Sequence, residues 1–267
     1  MTRELICVLK KDLKEYLRSK KNIYFVITLL LIGIMILGTT IFFPSLVSAL
    51  AEKAPDMITD TKSLDSMMAN LFPSDLKGSY GIWASDVGIF YGIIIILMTQ
   101  GLIMVEVKNG KWVMPVASGY SKKSLLISKC IIYGMGAAFP VFVLSNAFYF
   151  AALSVLETNI QYFNVFIASV LLSFTMASIV VITMLSSILC KHSMSAGFSM
   201  ILIVMVAPDI MTYFSFGKYL PTYLLTYVYT MSNHVSELVI PILELIILFF
   251  VLLKVAQKKV MTIEISR

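Results

Sequence analysis

The sequence predicts an all-α polytopic membrane protein. Six transmembrane helices follow an N-terminal interfacial amphipathic helix, and both termini lie in the cytoplasm. Three observations lead there. Hydrophobic residues make up 59% of the 267 and charged residues only 13%, against about 25% charged in a soluble domain. Six stretches reach the ~20 mostly apolar residues that a bilayer core demands. The cations are also asymmetric. Of the 21 Lys and Arg, all but Lys53, Lys62, Lys77 and Lys218 fall on one side when the N-terminus is placed inside, which is the bias that sets orientation.

Residues 1–22 predict the interfacial helix. At about 100° per residue, Arg3, Lys10, Lys14, Arg18 and Lys21 form one stripe, and Leu5, Leu9, Leu13, Tyr16 and Leu17 lie across from it. The first span is 23–43, preceded by too many polar residues and too long itself for a cleavable signal. Residues 44–85 predict an outer loop with two short helices, broken near Pro55 and ended at Pro73. It is acidic, with Glu52, Asp56, Asp60, Asp65 and Asp75, and reads as a solvated cap more than a cation site. Span two is 86–107 and the first inner loop is 108–123. Span three, 124–155, contains Pro140 and is expected to kink there. Spans four and five are 163–190 and 194–216.

Residues 217–236 are too short to span. Tyr219, Tyr223, Tyr227 and Tyr229 make them an interfacial or re-entrant helix. Span six is 237–255, and 256–267 form a cytoplasmic tail. No internal repeat or flexible linker divides the chain, so it is one membrane domain.

Several chemistries are excluded. No G-x-x-x-x-G-K-[ST] and no H-E-x-x-H occurs. His192 and His234 fall on opposite sides of the expected bilayer and cannot share a metal. Three cysteines, Cys7, Cys130 and Cys190, do not make a disulfide framework. The net charge of +6 follows from membrane orientation and does not call for nucleic acid. Polar residues inside spans are functional candidates by default. Gln100, Asn146, Asp209 and Glu244 therefore form the candidate translocation route, with Glu244 foremost, while Glu237 reaches the outer interface.

The inner loop carries the remaining signal. The run EVKNGKWVMPVASGYSKKSLLISK has Glu106 at the membrane edge and then Lys108, Gly110, Lys111, Trp112 and Pro115. Ser118-Gly119-Tyr120-Ser121-Lys122 and Ser128-Lys129 follow. Its Trp, expected to be exposed, suggests a contact surface. The run resembles the stretch between the second and third spans of type-2 ABC exporter permeases. There a Glu ends span two, a short Gly-containing coupling helix follows, then a Ser-Pro-x-Ser-Arg turn and a Gly-Lys pair. Gly119 stands here in place of the Pro, and Ser128 in place of the Gly. The interfacial helix, six spans, inner termini and short helix before span six extend the resemblance over essentially the whole chain.

The resemblance implies a permease subunit that exports a substrate using a separate ATPase. ATP and Mg would be bound by that partner, present in two copies, and this chain would carry no cofactor and no catalytic residue. Residues 108–123 would dock on the ATPase, with Trp112 as anchor and Lys108 and Lys111 as rim. A second permease chain, giving a homodimer, would approach span one at Gly33 and Gly38. The large outer loop and sparse polar content of the spans favour an amphipathic or hydrophobic substrate, such as a peptide, peptide toxin or antibiotic, or lipid-like compound, at a bacterial plasma membrane. The alternative is an ion-coupled secondary transporter or channel without an ATPase.

Overall fold

In the computed structural model, residues 2–53, 75–156, 160–190, 193–212, 221, 223–230 and 235–262 are described. Their regular structure is helical. Helix α1 is Thr2–Arg18 and α2 is Lys21–Lys53. Helix α3 covers Leu76–Lys108, α4 is Val113–Ala117, and α5 is Lys122–Leu153. Helix α6 is Tyr162–Leu189, α7 is Ser193–Thr212, and α8 is Tyr223–Thr230. A 3-10 turn at Val235–Leu238 leads into α9, Val239–Thr262.

Among the described residues, five helices are long and apolar enough to cross a membrane: α2 over Lys21–Phe42, then α3, α5, α6 and α9. By length and composition the chain is a multi-pass membrane protein. The stretch expected as span five forms α7, whose apolar part among the fully described residues, Met194–Val204, is shorter.

Two expected loop boundaries move. Helix α2 continues through Pro44 to Lys53, and α3 begins at Leu76. Both ends of the expected 44–85 loop are therefore helical. Pro55 and Pro73, where the loop helices were expected to break, lie outside the described residues, as do His192, His234 and Tyr219. Helix α5 passes through Pro140 without interruption. At 1.5 Å per residue its 32 residues extend about 48 Å, longer than a bilayer core of about 30 Å.

Helix α6 is the centre of the bundle. Its apolar window is 61% buried, against 28% for α2 and 17% for α9. It packs on α5, α7, α8 and α9. Its hydroxyls bond back along the helix, as in Thr183 to the Ile179 carbonyl at 2.6 Å and Ser173 to Ser169 at 2.7 Å. The interior is thus apolar in effect despite its Ser and Thr content. Across from it, the Trp83 ring stacks on Phe148 at 4.9 Å and 11°, and its Nε1 donates to Ser145 Oγ at 3.0 Å. Gly33 allows α2 to close on this Trp, since a Cβ there would sit 3.2 Å from the ring. The Gly33 position is therefore packed against Trp83 within the chain, whereas Gly38 faces open space.

Candidate functional site

The site begins with how the chain turns between α3 and α5. Helix α3 ends at Lys108, with Asn109 as its cap and Gly110 at φ 69°. The Gly110 N–H donates to Val107 O at 3.1 Å and the Lys111 N–H to Glu106 O at 3.0 Å. This pairing satisfies the last carbonyls and needs a left-handed residue, hence Gly. The same device closes α4. Gly119 sits at φ 91°, its N–H donates to Val116 O at 3.0 Å, and the Tyr120 N–H reaches Pro115 O at 3.1 Å. Ser121 then caps α5 by accepting from the Ser124 N–H at 3.2 Å. Pro115 lies in the first turn of α4, where its missing N–H costs nothing. Residues 109–121 are a tightly bonded linker with a short helix at its crest.

Trp112 is not an exposed anchor. It is 2% exposed, and its Nε1 donates to Glu106 Oε2 at 3.3 Å. The indole fastens the loop to the end of α3, and no residue of α4 is buried. The exposed apolar residue at the crest is Met114, 76% exposed. Lys108 and Lys111 are exposed as expected.

Beneath Trp112 lies a buried ionic cluster. Lys129 Nζ is 2.9 Å from Glu106 Oε1, 3.2 Å from Glu15 Oε2 and 3.4 Å from Asp12 Oδ1. One ammonium, with three donors, meets three carboxylates. Lys111 reaches Glu15 Oε1 at 3.6 Å, and Ser128 Oγ donates to Asp12 Oδ2 at 2.6 Å. The Tyr133 ring lies under Lys21 and Lys129, at 5.4 and 5.9 Å. Burial alone would push the Glu15 carboxyl up, but the Lys129 charge and hydrogen bond, with Lys111 and Lys11, hold it below the usual carboxylate range.

The cluster docks α1 lengthwise, in parallel, on the first half of α5. Glu4 Oε1 accepts the Ser121 N–H at 2.6 Å, and Tyr16 meets Tyr133 edge to face at 5.2 Å. The Ser121 N–H lowers the Glu4 pKa. Burial, with Tyr133 beside it, pushes the Tyr16 hydroxyl up to about 12. Tyr16 also lies over Gly136, where a Cβ would collide with the ring. Helix α1 thus has three faces, not the two expected. Val8, Asp12, Glu15 and Tyr16 face α5. Arg3, Lys10, Lys14 and Arg18 form the exposed basic stripe, and Ile6, Leu13 and Leu17 form an exposed apolar ridge.

The first of the route residues marks a break in α3. Its helix contains a π turn at Val87–Tyr91, and it is interrupted at Gln100, with ψ 131°, and Gly101, with φ 72°. Lys21 Nζ donates to the freed Met98 carbonyl at 3.3 Å. Lys21, expected on the α1 stripe, therefore caps this break. The Gln100 side chain packs over Gly197 of α7, at a position where only Gly leaves it room.

Asn146 donates to Phe142 O at 2.7 Å and Ser169 Oγ at 3.1 Å, and accepts from Tyr162 OH at 3.1 Å. Its polar atoms join α5 to α6. Glu244 is half-buried on α9. The carboxylate that holds the Tyr-rich segment is Glu237, which accepts from Tyr223 OH at 2.8 Å. No hydrogen bond or ion pair among the described residues joins any two of Gln100, Asn146 and Glu244. Asp209 lies on α7, and its side chain is outside the described residues.

Sequence reasoning missed Asp12, Glu15 and Lys129 as site residues. The signal was present: an ionisable side chain at the sixth residue of a predicted span, and two acids spaced i, i+3 off the basic stripe. No group of three or more potential metal ligands occurs among the described residues. No family model matches the chain, no curated protein matches it, and no solved structure matches it.

Proposed function

We propose that the chain is the membrane-spanning subunit of an ATP-driven exporter, powered by a separate ATPase that docks on the 108–123 loop. The observation that carries this reading is the rigidity of that loop. Two glycine-closed helix ends, a buried Trp112 and the Lys129 cluster bind an exposed crest to α1, α3 and α5 together. A force applied at the crest would move three helices as one. The chain has no phosphate-binding loop of its own, so the energy source in this reading is a partner.

In this arrangement Met114 is the apolar contact and Lys108 and Lys111 its polar rim, while Glu106, Gly110, Trp112 and Pro115 shape the surface from behind. Helix α1 lies at the inner membrane surface with Ile6, Leu13 and Leu17 toward lipid. Helix α7 completes a set of six spans, and both termini are cytoplasmic. Two such chains, with two ATPases below, would move an amphipathic or hydrophobic substrate outward across a bacterial plasma membrane. The bonded-out hydroxyls of α6 support a substrate of low polarity.

The break at Gln100–Gly101 favours a second reading, an ion-coupled carrier, since such carriers bind cations at unwound carbonyls. Here the Met98 carbonyl already holds the Lys21 ammonium, which opposes a cation at that point.

Met114→Asp tests the proposal. Exposed substitutions change stability by about 0.5 kcal/mol or less, so the variant should fold with an unchanged melting temperature. Purified gently from its native membranes, it should fail to bring down an ATPase subunit, whereas the wild-type chain is expected to retain one together with ATP hydrolysis. A wild-type chain that binds no ATPase, or a variant that binds it fully, would overturn the reading.

A further inference from the structure

Between α1 and the loop lies a cleft of about 690 Å³, walled by Lys11, Lys14, Arg18, Lys111 and Trp112 above the Lys129 cluster. Five cations line it against two carboxylates, Glu15 and Glu106. Those carboxylates are already engaged, by Lys129, Lys111 and Trp112. Lys14 and Arg18 have no ion pair among the described residues. The volume is that of a small-molecule site, and its net positive charge is focused by apolar walls, the buried Trp112 and Leu125.

We propose that this cleft binds a phosphate-bearing anion, held by Lys14, Arg18 and Lys111. A guanidinium offers a planar pair of donors to phosphate oxygens, and the two lysines add mobile charge. An anion there would bridge the basic stripe of α1 to the loop through Lys111, and so would tighten the contact between them. The cleft belongs to this chain alone and does not depend on an ATPase partner. Two sources share the chemistry, a soluble phosphate compound and an anionic lipid headgroup. The apolar ridge of Leu13 and Leu17 projects from the side of α1 roughly opposite Glu15, which directs the cleft away from lipid and toward a soluble ligand.

Trp112 reports occupancy. The test uses the full chain carrying Trp83→Phe, which leaves Trp112 as its one Trp, in nanodiscs of neutral phosphatidylcholine. Pyrophosphate is titrated while indole emission is followed. In a second arm the nanodiscs carry phosphatidylglycerol and no pyrophosphate is added. The expected result is a saturable emission change with pyrophosphate. Lys14→Gln with Arg18→Gln should weaken it about tenfold or more. Lys10→Gln with Lys20→Gln makes the same charge change outside the cleft and should leave it within about twofold.

A change seen only with phosphatidylglycerol, and lost in the cleft variant, supports the site with a headgroup as its ligand. No saturable change in either arm would overturn the proposal. So would equal weakening in both double variants, which would mean diffuse attraction to a basic surface. Should Trp83→Phe not fold, native mass spectrometry of the wild-type chain with pyrophosphate reads the same comparison.

Discussion

Lys129→Met is the sharpest perturbation available, because it keeps the apolar stem and removes only the charge. The ammonium lies within 3.4 Å of three carboxylates, and the side chain is 3% exposed. The Asp12 side chain is 0% exposed and that of Glu106 is 9%, while Glu15 is 39% exposed and can find water. Two of the three acids thus lose their nearest cation while buried, and Asp12 keeps only the exposed Lys11 ammonium at 3.9 Å. Removing one partner of a buried pair costs about 3–5 kcal/mol, because the other charge is stranded.

The least costly escape is release of α1, which frees Asp12 and Glu15 to solvent. Amide hydrogen exchange should therefore quicken across residues 8–16 by about two orders of magnitude or more, with α6 unchanged. Adding Asp12→Asn should recover a good part of the loss, since it deletes the most buried stranded charge and keeps an acceptor for the Ser128 hydroxyl, which bonds Asp12 at 2.6 Å. Exchange in α1 equal to wild type in Lys129→Met would refute the reasoning. So would a double variant no better than the single one.

Two further outcomes follow from the geometry. Gly101→Ala places a Cβ at φ 72° and should destabilise the chain by about 1–2 kcal/mol, read as a lower melting temperature in detergent; no loss would mean that the break in α3 straightens at no cost. The docking of α1 should also depend on acid. Glu4 and Glu15 are both held below their ordinary value of 4.5. Their contribution is present above that pH and is lost as pH falls through the lowered bound-state values. Spin labels at the exposed positions Lys10 and Lys123 should report separation only below about pH 4.5; separation that instead begins near neutral pH would remove these carboxylates as the cause.

The residues that set the membrane character are legible one at a time. Runs of apolar side chains have a transfer free energy that depends on the local segment alone, so α2, α3, α5, α6 and α9 can be read directly, as can a helix at Thr2–Arg18. Gly110 and Gly119 are also local signals, because each ends a helix where only a left-handed residue will do.

What depended on tertiary structure is the role of each polar side chain. The Glu4–Ser121 bond spans 117 positions and the Asp12–Ser128 bond 116, and no window of sequence joins them. Trp112 looked exposed because it sits in a lysine-rich loop, yet it is buried, and Glu106 six positions earlier, across the turn, offers a partner for its N–H. Glu244 stood out as a charge in a span, while Lys129 carries the contacts. Helix rotation and register decide which charges meet. Those are fixed by packing, such as Gly33 against Trp83 and Gly136 against Tyr16, and hydropathy is blind to them.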